Sequence, residues 1–472
     1  MEFDGTFWLP SQPDNRVLGR LSLSGPAPTL ALTEAVLPMW QHDTTQPNAW
    51  IPRPVGPDHE ALTIHGEARG LSQAVSLLDC YTVGYTFEGQ RLTGGYCLIG
   101  GHTSADTRFS SARFRLRYLD DWAELPGLSA TDTEDRKEIV WERSEPLRVE
   151  LPALGCWLEL VAEVGRPRLG LRGGSLQHIA ELRLVGLPNV VLRDVWWAVA
   201  AIKELLTLAI QADCRPTQLR VLDSVSQSWL TVIDPRIDSA AAGQVQVPSR
   251  ILLTRQHMGL KALATWTNRY DDLRPIPAIV AGVVGAEQHV LESELFELAS
   301  AAEGLHRRLD KAEKTAAFTK AEARAVREAA ASAAGSNDEL RRRVSSHLTH
   351  IRDVSYTERL GALLELAGAA MPGLNDWEQA DWKERIRQAR DGVAHQLPSY
   401  RNTDWEDRWR EETALLNSLR WILTTLLLLE AGVEPTALHA RLSQHQRFVI
   451  FRQQAREWLP YAFVRDEPSD TA

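Results

Sequence analysis

Gln388-Ala389-Arg390-Asp391-Gly392-Val393-Ala394-His395, near the C-terminal end, is the stretch on which the reading of this chain turns. An arginine is followed, after four intervening residues, by a histidine. A guanidinium carries a permanent charge and a planar fork of donors that grips phosphate oxygens. An imidazole takes or gives a proton near neutral pH. Together they can cut RNA without a metal: the histidine draws the proton from a 2′-hydroxyl, and the arginine stabilises the charge that builds on phosphorus. The spacing alone does not separate this chemistry from a solvated helix face, so the surroundings have to decide.

Around the pair, Ile386, Ala389 and Val393 recur at i, i+3 and i+7. This is the stripe of an amphipathic helix facing a bundle, with Arg390 and Ala394 flanking it. Five residues of ideal helix rotate by about 140° and rise by about 7.5 Å, so Arg390 and His395 do not share a face unless the turn loosens. Gly392 between them permits that. The motif therefore lies beside a packed seam, at a place where a second copy of the region could dock.

Working outward, the chain reads as helical from Glu287 on. Val290–Leu309 carries Leu291, Leu295, Leu298 and Leu305 on one side, and Lys311–Ala334 is an Ala/Glu/Lys/Arg connector. Helix starts are expected at the Ser336…Glu339, Ser355…Glu358 and Thr403…Glu406 capping boxes, and at Asn375…Glu378. The helices then run over about 337–353, 356–371, 376–396, 404–432 and 435–445, with Gly373 and Pro398 ending the second and third. Short connections between them predict a bundle.

The N-terminal half has a different period. Leu21-Ser22-Leu23-Ser24, Phe114–Tyr118 and Leu147–Leu151 alternate as half-buried strands do, between clusters of proline and glycine. The glycines of Gly94–Gly101 read as hairpin glycines, because no Lys-Ser or Lys-Thr follows to make a phosphate loop. Asp120-Asp121-Trp122 and Trp141 read as core anchors at strand ends. Ile179–Val185 reads as a strand, Val190–Ala212 as a long buried helix with Trp196-Trp197 in the core, and Leu219–Val225 and Gln244–Leu253 as strands. The expected fold class is therefore α+β and multidomain: a β-rich N-terminal body with an inserted long helix, followed by an all-α helical bundle. The parts are 1–171 (β-rich), 172–286 (mixed, completing the body) and 287–472 (helical).

Composition narrows the function. A net charge of −10 argues against a protein that coats nucleic acid, so RNA would have to be held in a local basic cleft. Cys80, Cys97, Cys156 and Cys214 lie far apart without a CxxC pair, which suggests neither a disulfide framework nor a zinc site and fits a reducing cytoplasm. Met1–Gly5 lacks a signal-peptide pattern, and the apolar run at Trp421–Leu429 is too short to span a bilayer. A cytoplasmic protein without membrane attachment is expected. His347 and His350 sit at i, i+3 with no third ligand beside them and read as an exposed helix face. Arg341-Arg342-Arg343, Arg401, Arg408 and Arg410 read as solvated turns or as walls of an RNA cleft. Trp377, Trp382, Trp405 and Trp409 read as seam packing.

With these residues in place, the C-terminal region resembles the HEPN domain, a helical nuclease module whose hallmark is an arginine, four to six residues and a histidine. Arg390, Asp391 and His395 fit it, including the acidic residue directly after the arginine. Gly5-Thr6-Phe7-Trp8-Leu9-Pro10, Gly19-Arg20-Leu21, His65-Gly66-Glu67 and Leu77-Leu78-Asp79-Cys80 resemble the N-terminal domain of ApeA-type proteins, a HEPN-containing phage-defence family. The resemblance implies a metal-independent endoribonuclease of abortive infection. His395 would be its general acid or base, Arg390 its phosphate binder, and Asp391 a residue orienting a neighbour. It implies no cofactor and no metal, an RNA substrate, a phage-derived trigger, and a homodimer that brings two motifs to one cleft. The alternative is a HEPN-fold protein that binds RNA or dimerises without catalysis.

Overall fold

Alternation in the first strands sets the core. The computed structural model describes residues 1–462 apart from 38, 43–49, 53–60, 72, 87–88, 134–136, 143, 166–167, 171–172, 176–177, 239–250, 287–289, 310–318, 336, 375–376, 378 and 395–403. Strands β1 (Glu2–Trp8), β2 (Val17–Ser22) and β3 (Thr29–Leu32) form an antiparallel meander. A small side pair follows, β4 (Trp40–His42) with β5 (Trp50–Pro52). Next come β6 (Leu62–Ala68), the long β7 (Gln73–Thr86) and β8 (Gly89–Thr93). Because β6 pairs with β1 and β8 pairs with both β7 and β3, these strands close into a barrel. Closure removes the free edges that an open sheet would expose.

Phe7, Leu21, Leu30, Ile64, Val75 and Leu77 fill the barrel interior. Gly66 is required beside Phe7: a Cβ there would lie 2.3 Å from Phe7 Cδ1. Phe7 is fully buried, so Phe7→Ala should destabilise the barrel by about 3–5 kcal/mol. Urea unfolding read against the wild type checks this, and a loss below about 1 kcal/mol would mean that the ring is not a core element.

The sheet then runs on past the barrel. Strand β9 (Tyr96–Ile99) lies along the first half of β7, whereas β8 lies along its second half. Gly94-Gly95 is the joint between them, where Gly95 N–H donates to Leu78 O at 3.0 Å. The hairpin expected there is absent. The hairpin glycine is Gly89, opposite Thr86 and at φ 139°. Beyond β9 come β10 (Phe109–Leu116), the short helix α1 (Leu119–Ala123) and the side pair β11 (Leu128–Asp132) with β12 (Lys137–Trp141). They are followed by β13 (Leu147–Leu151), β14 (Cys156–Val164), the side pair β15 (Arg168–Gly170) with β16 (Gly173–Ser175), and β17 (His178–Val190). Trp122 is fully buried, on α1 rather than at a strand end.

After helix α2 (Leu192–Ile210), β18 (Pro216–Asp223) and β19 (Trp229–Ile233) complete one continuous sheet of 13 strands among the described residues. The expected inserted helix is α2. Trp196 on it is buried, under the Arg236 guanidinium at 4.0 Å. Of the strand expected over Gln244–Leu253, residues 244–250 lie outside the described ones. Ile251–Leu253 are not a strand: the N–H groups of Leu252 and Leu253 both bond Ala209 O. All four cysteine thiols are buried, and burial raises that of Cys97 to about 12.

Helices begin at Arg255, well before the expected Glu287: α3 (Arg255–Leu273) and α4 (Ile276–Gly285) come first. Gly259, at φ 67°, interrupts α3, and α4 is apolar nearly all round. Neither therefore displays the single stripe that marks an amphipathic helix. Then follow α5 (Leu291–Arg308), α6 (Lys320–Ala333), α7 (Asp338–His347), α8 (Tyr356–Gly368), α9 (Gln379–Ala394), α10 (Trp405–Glu430), α11 (Pro435–Gln444) and α12 (Gln446–Trp458). Helix α12 has no counterpart in the sequence expectations. Among the described residues no strand interrupts α7 to α10.

The Ser355–Glu358 capping box is present in full. At α7 the cap is Asn337, whose side chain accepts from Leu340 N–H, with Ser336 outside the described residues. At α10 the N-cap is Asp404 rather than Thr403, which also lies outside them, as do Asn375 and Glu378. A box at Thr319–Glu322 starts α6.

The chain divides into two compact units. One comprises Met1–Lys203, Cys214–Gln246 and Thr254–Asn268, and the other Glu204–Asp213, Val247–Leu253 and Arg269–Ala472. No helix among the described residues is long and apolar enough to cross a membrane.

Candidate active site

Helix α5 is the post on which the site is built. Its Leu295, Leu298, Ala299, Ala302 and Leu305 are buried, and α4, α8, α9 and α10 all pack on it. Small residues bring the helices close: a Cβ on Gly304 would fall 2.6 Å from Ile276 Cδ1 of α4. Helix α9 seats Trp382, Ile386 and Ala389 in the core. It runs antiparallel to α10, with Trp382 Nε1 donating to Ser418 Oγ at 2.9 Å and Arg385 lying 3.5 Å from Glu411. That frame brings the turn carrying Arg390 over α5 and leaves its side chain 29% exposed.

Arg390 Nη2 donates to Glu303 Oε2 at 2.9 Å, and its guanidinium carbon lies 4.6 Å from the centre of the Tyr356 ring. Glu303 Oε1 also accepts from Arg307 Nη2 at 2.8 Å. Burial alone would raise the Glu303 carboxyl, but the Arg307 hydrogen bond and the charges of Arg390 and Arg359 outweigh it and hold the group below the usual carboxylate range. Tyr356 donates its hydroxyl proton to Ala299 O at 3.0 Å, and burial pushes its pKa up. Beside it, buried Arg359 donates to His306 Nδ1 at 3.2 Å, which makes that nitrogen an acceptor and the imidazole neutral.

Asp391 faces another partner. Its Oδ2 accepts from Arg387 Nη1 at 2.8 Å, and Arg387 also holds Glu384, whose carboxyl that bond pulls down to about 2. Asp391 is thus paired with Arg387, one turn back on its own helix, and has no hydrogen bond to Arg390. His395 lies outside the described residues. The site as built therefore holds a half-exposed arginine with a fixed carboxylate at its edge and an aromatic ring at its face.

Residues 296–437, which hold all of these groups, match the Apea-like HEPN family. Residues 2–240, just over half of the chain, match ApeA N-terminal domain 1. The chain belongs to the ApeA-type HEPN proteins. No curated protein and no solved structure matches it. HEPN domains are generally associated with ribonuclease activity, and the pairing with an ApeA N-terminal domain points to a defence-type ribonuclease.

In this ApeA-type protein the other sequence candidates fall into place. His347 is exposed, the His350 side chain lies outside the described residues, and no group of three potential metal ligands occurs among the described residues. Arg341, Arg342 and Arg343 pair with Asp338 and Glu339 of their own exposed helix. Arg408 and Arg410 pair with Glu412 and Glu406, and Arg401 lies outside the described residues. Trp377 and Trp382 pack edge to face in the core, as expected. Trp405 and Trp409 do not: they are 74% and 44% exposed and stack on each other at 6.5 Å. Both lie in the first turns of α10, where the helix has outrun the apolar seam.

Sequence reasoning missed Glu303, Tyr356, His306 and Arg359. Glu303 and Arg307 at i, i+4 look like an ordinary solvated helix pair, and Tyr356 like the first residue after a cap. Only the packing of α8 and α9 on α5 shows otherwise.

Proposed function

We propose that this protein is a metal-independent endoribonuclease of antiviral, abortive-infection defence, working in the cytoplasm as a homodimer. In this reading residues 1–171 and 172–286 sense or regulate, answering a phage-derived trigger, and 287–472 carry the chemistry. The 2′-oxygen of RNA attacks the adjacent phosphorus while His395 takes its proton. The bond to the 5′-oxygen breaks, and that oxygen leaves with a proton from the histidine of the second copy, giving a 2′,3′-cyclic phosphate and a 5′-hydroxyl. Arg390 stabilises the charge on the phosphoryl oxygens. The nucleophile is internal to the substrate, so proton transfer and charge stabilisation suffice.

One observation carries the reading: within the HEPN-matching segment, Arg390 stands partly exposed with its charge only part-cancelled, because Glu303 is shared with Arg307. The second reading, a HEPN-fold protein that binds RNA or dimerises without cutting, draws on the same Arg390–Glu303 pair taken as a purely structural tie. Incubating the full chain with RNA in excess EDTA separates them. Fragments ending in 2′,3′-cyclic phosphate are expected, together with no cleavage of an oligonucleotide carrying 2′-deoxyribose at the cut position. RNA bound but intact favours the second reading. A requirement for Mg²⁺ combined with cutting of the deoxy substrate overturns the first.

A further inference from the structure

Arg390 is held on two sides by groups that are themselves held. At its edge, Glu303 accepts from Arg390 at 2.9 Å and from Arg307 at 2.8 Å, one guanidinium on each carboxylate oxygen. At its face, Tyr356 is pinned through its hydroxyl to Ala299 O at 3.0 Å, one turn before Glu303 on α5. A long side chain near a surface samples many rotamers, and each one lost on gripping a phosphate weakens the grip. Two-sided support removes most of that sampling in advance.

A carboxylate beside a functional arginine can also lock it away, and the sharing of Glu303 between two guanidiniums decides between the two roles. Glu303 brings one negative charge against Arg307 and Arg390, so the triad stays positive. Glu384 and Asp391 on α9 bond Arg387 rather than Arg390, and that trio is one charge negative. Within the triad Glu303 therefore holds Arg390 without neutralising both guanidiniums, as an anion-binding group needs and a latch does not.

We propose that Glu303, with Tyr356 beneath the guanidinium, is a positioning residue that aims Arg390 at the scissile phosphate of the RNA substrate. The inference rests on the ribonuclease reading above. Glu303→Gln tests it, since the amide removes the charge and sets an NH2 donor against one of the two guanidiniums, each now held by one carboxylate oxygen. In the full-length protein, kcat on RNA should fall by about 10–100-fold while KM changes by less than about threefold. In an Arg390→Ala background the same change should cost nothing further, because the group it aims is gone; a merely structural role would add its loss in both backgrounds. Arg307→Met removes the other anchor of Glu303 at an exposed position and should give a smaller fall of the same kind, and it carries the test if Glu303→Gln does not fold. Full or raised kcat in both variants, or an additive loss in the Arg390→Ala background, overturns the proposal alone. Wild-type cleavage by Arg390→Ala overturns the ribonuclease reading, and this inference with it.

Discussion

Replacing His395 by alanine should slow RNA cleavage by about 10²–10⁴-fold, the usual contribution of a positioned general acid or base. No other group in the motif is placed to accept the 2′-proton: a guanidinium offers donors only, and Asp391 is engaged by Arg387. His395 falls outside the sequence stripe of Ile386, Ala389 and Val393, so expression and folding are expected to match the wild type. In a host, the variant should abolish toxicity or protection at unchanged protein level. Single-turnover cleavage by the folded variant is the deciding measurement, and wild-type rates would falsify the assignment. An imidazole in the base role also predicts that activity falls as pH drops through the imidazole range, and that the alanine variant loses this limb of the profile.

The second large effect belongs to Arg390. Arg390→Ala should lower the rate by about 10²–10³-fold, the scale for removing one donor aimed at developing charge. Arg390→Lys keeps a charge but not the planar fork, and should recover only part of the loss. Stability should change by about 0–1 kcal/mol, since the side chain is 29% exposed and Glu303 keeps Arg307. Glu303 is held below its ordinary range, so its tie to the arginines is fully present above that range. The tie is lost only as pH falls through the lowered folded-state value. Assays near neutral pH therefore compare proteins with the same ionised carboxylate. Rate and melting temperature measured on the same preparation check both halves. A large drop in melting temperature with unchanged specific activity would make Arg390 a structural residue.

Much of this was legible in the chain. The helix carrying Arg390 could be read from Ile386, Ala389 and Val393 because an amphipathic helix must repeat its apolar residues near 3.6. The Ser355–Glu358 box could be read because a cap is a contact between residues three apart. The strands showed their period of two at Leu21 in the barrel and at Phe114 beyond it for the same local reason. Helix α4 was not legible, since Ile276–Gly285 is buried on most sides and a uniformly apolar run has no period to find. Trp405 and Trp409 were misjudged because aromatic spacing says which residues share a face, not whether anything covers it.

The division between the two sources is therefore one of range. Short-range rules written in the chain itself determined the helix, its motif, the capping box and the alternation of the strands. Only the tertiary structure decided that β7 serves two neighbours along one edge and closes a barrel, and that Asp391 turns to Arg387. It alone placed Glu303, 87 residues before Arg390, at the arginine's edge. These are contacts between distant segments, made when buried faces seek partners, and no local pattern encodes which distant residue will arrive.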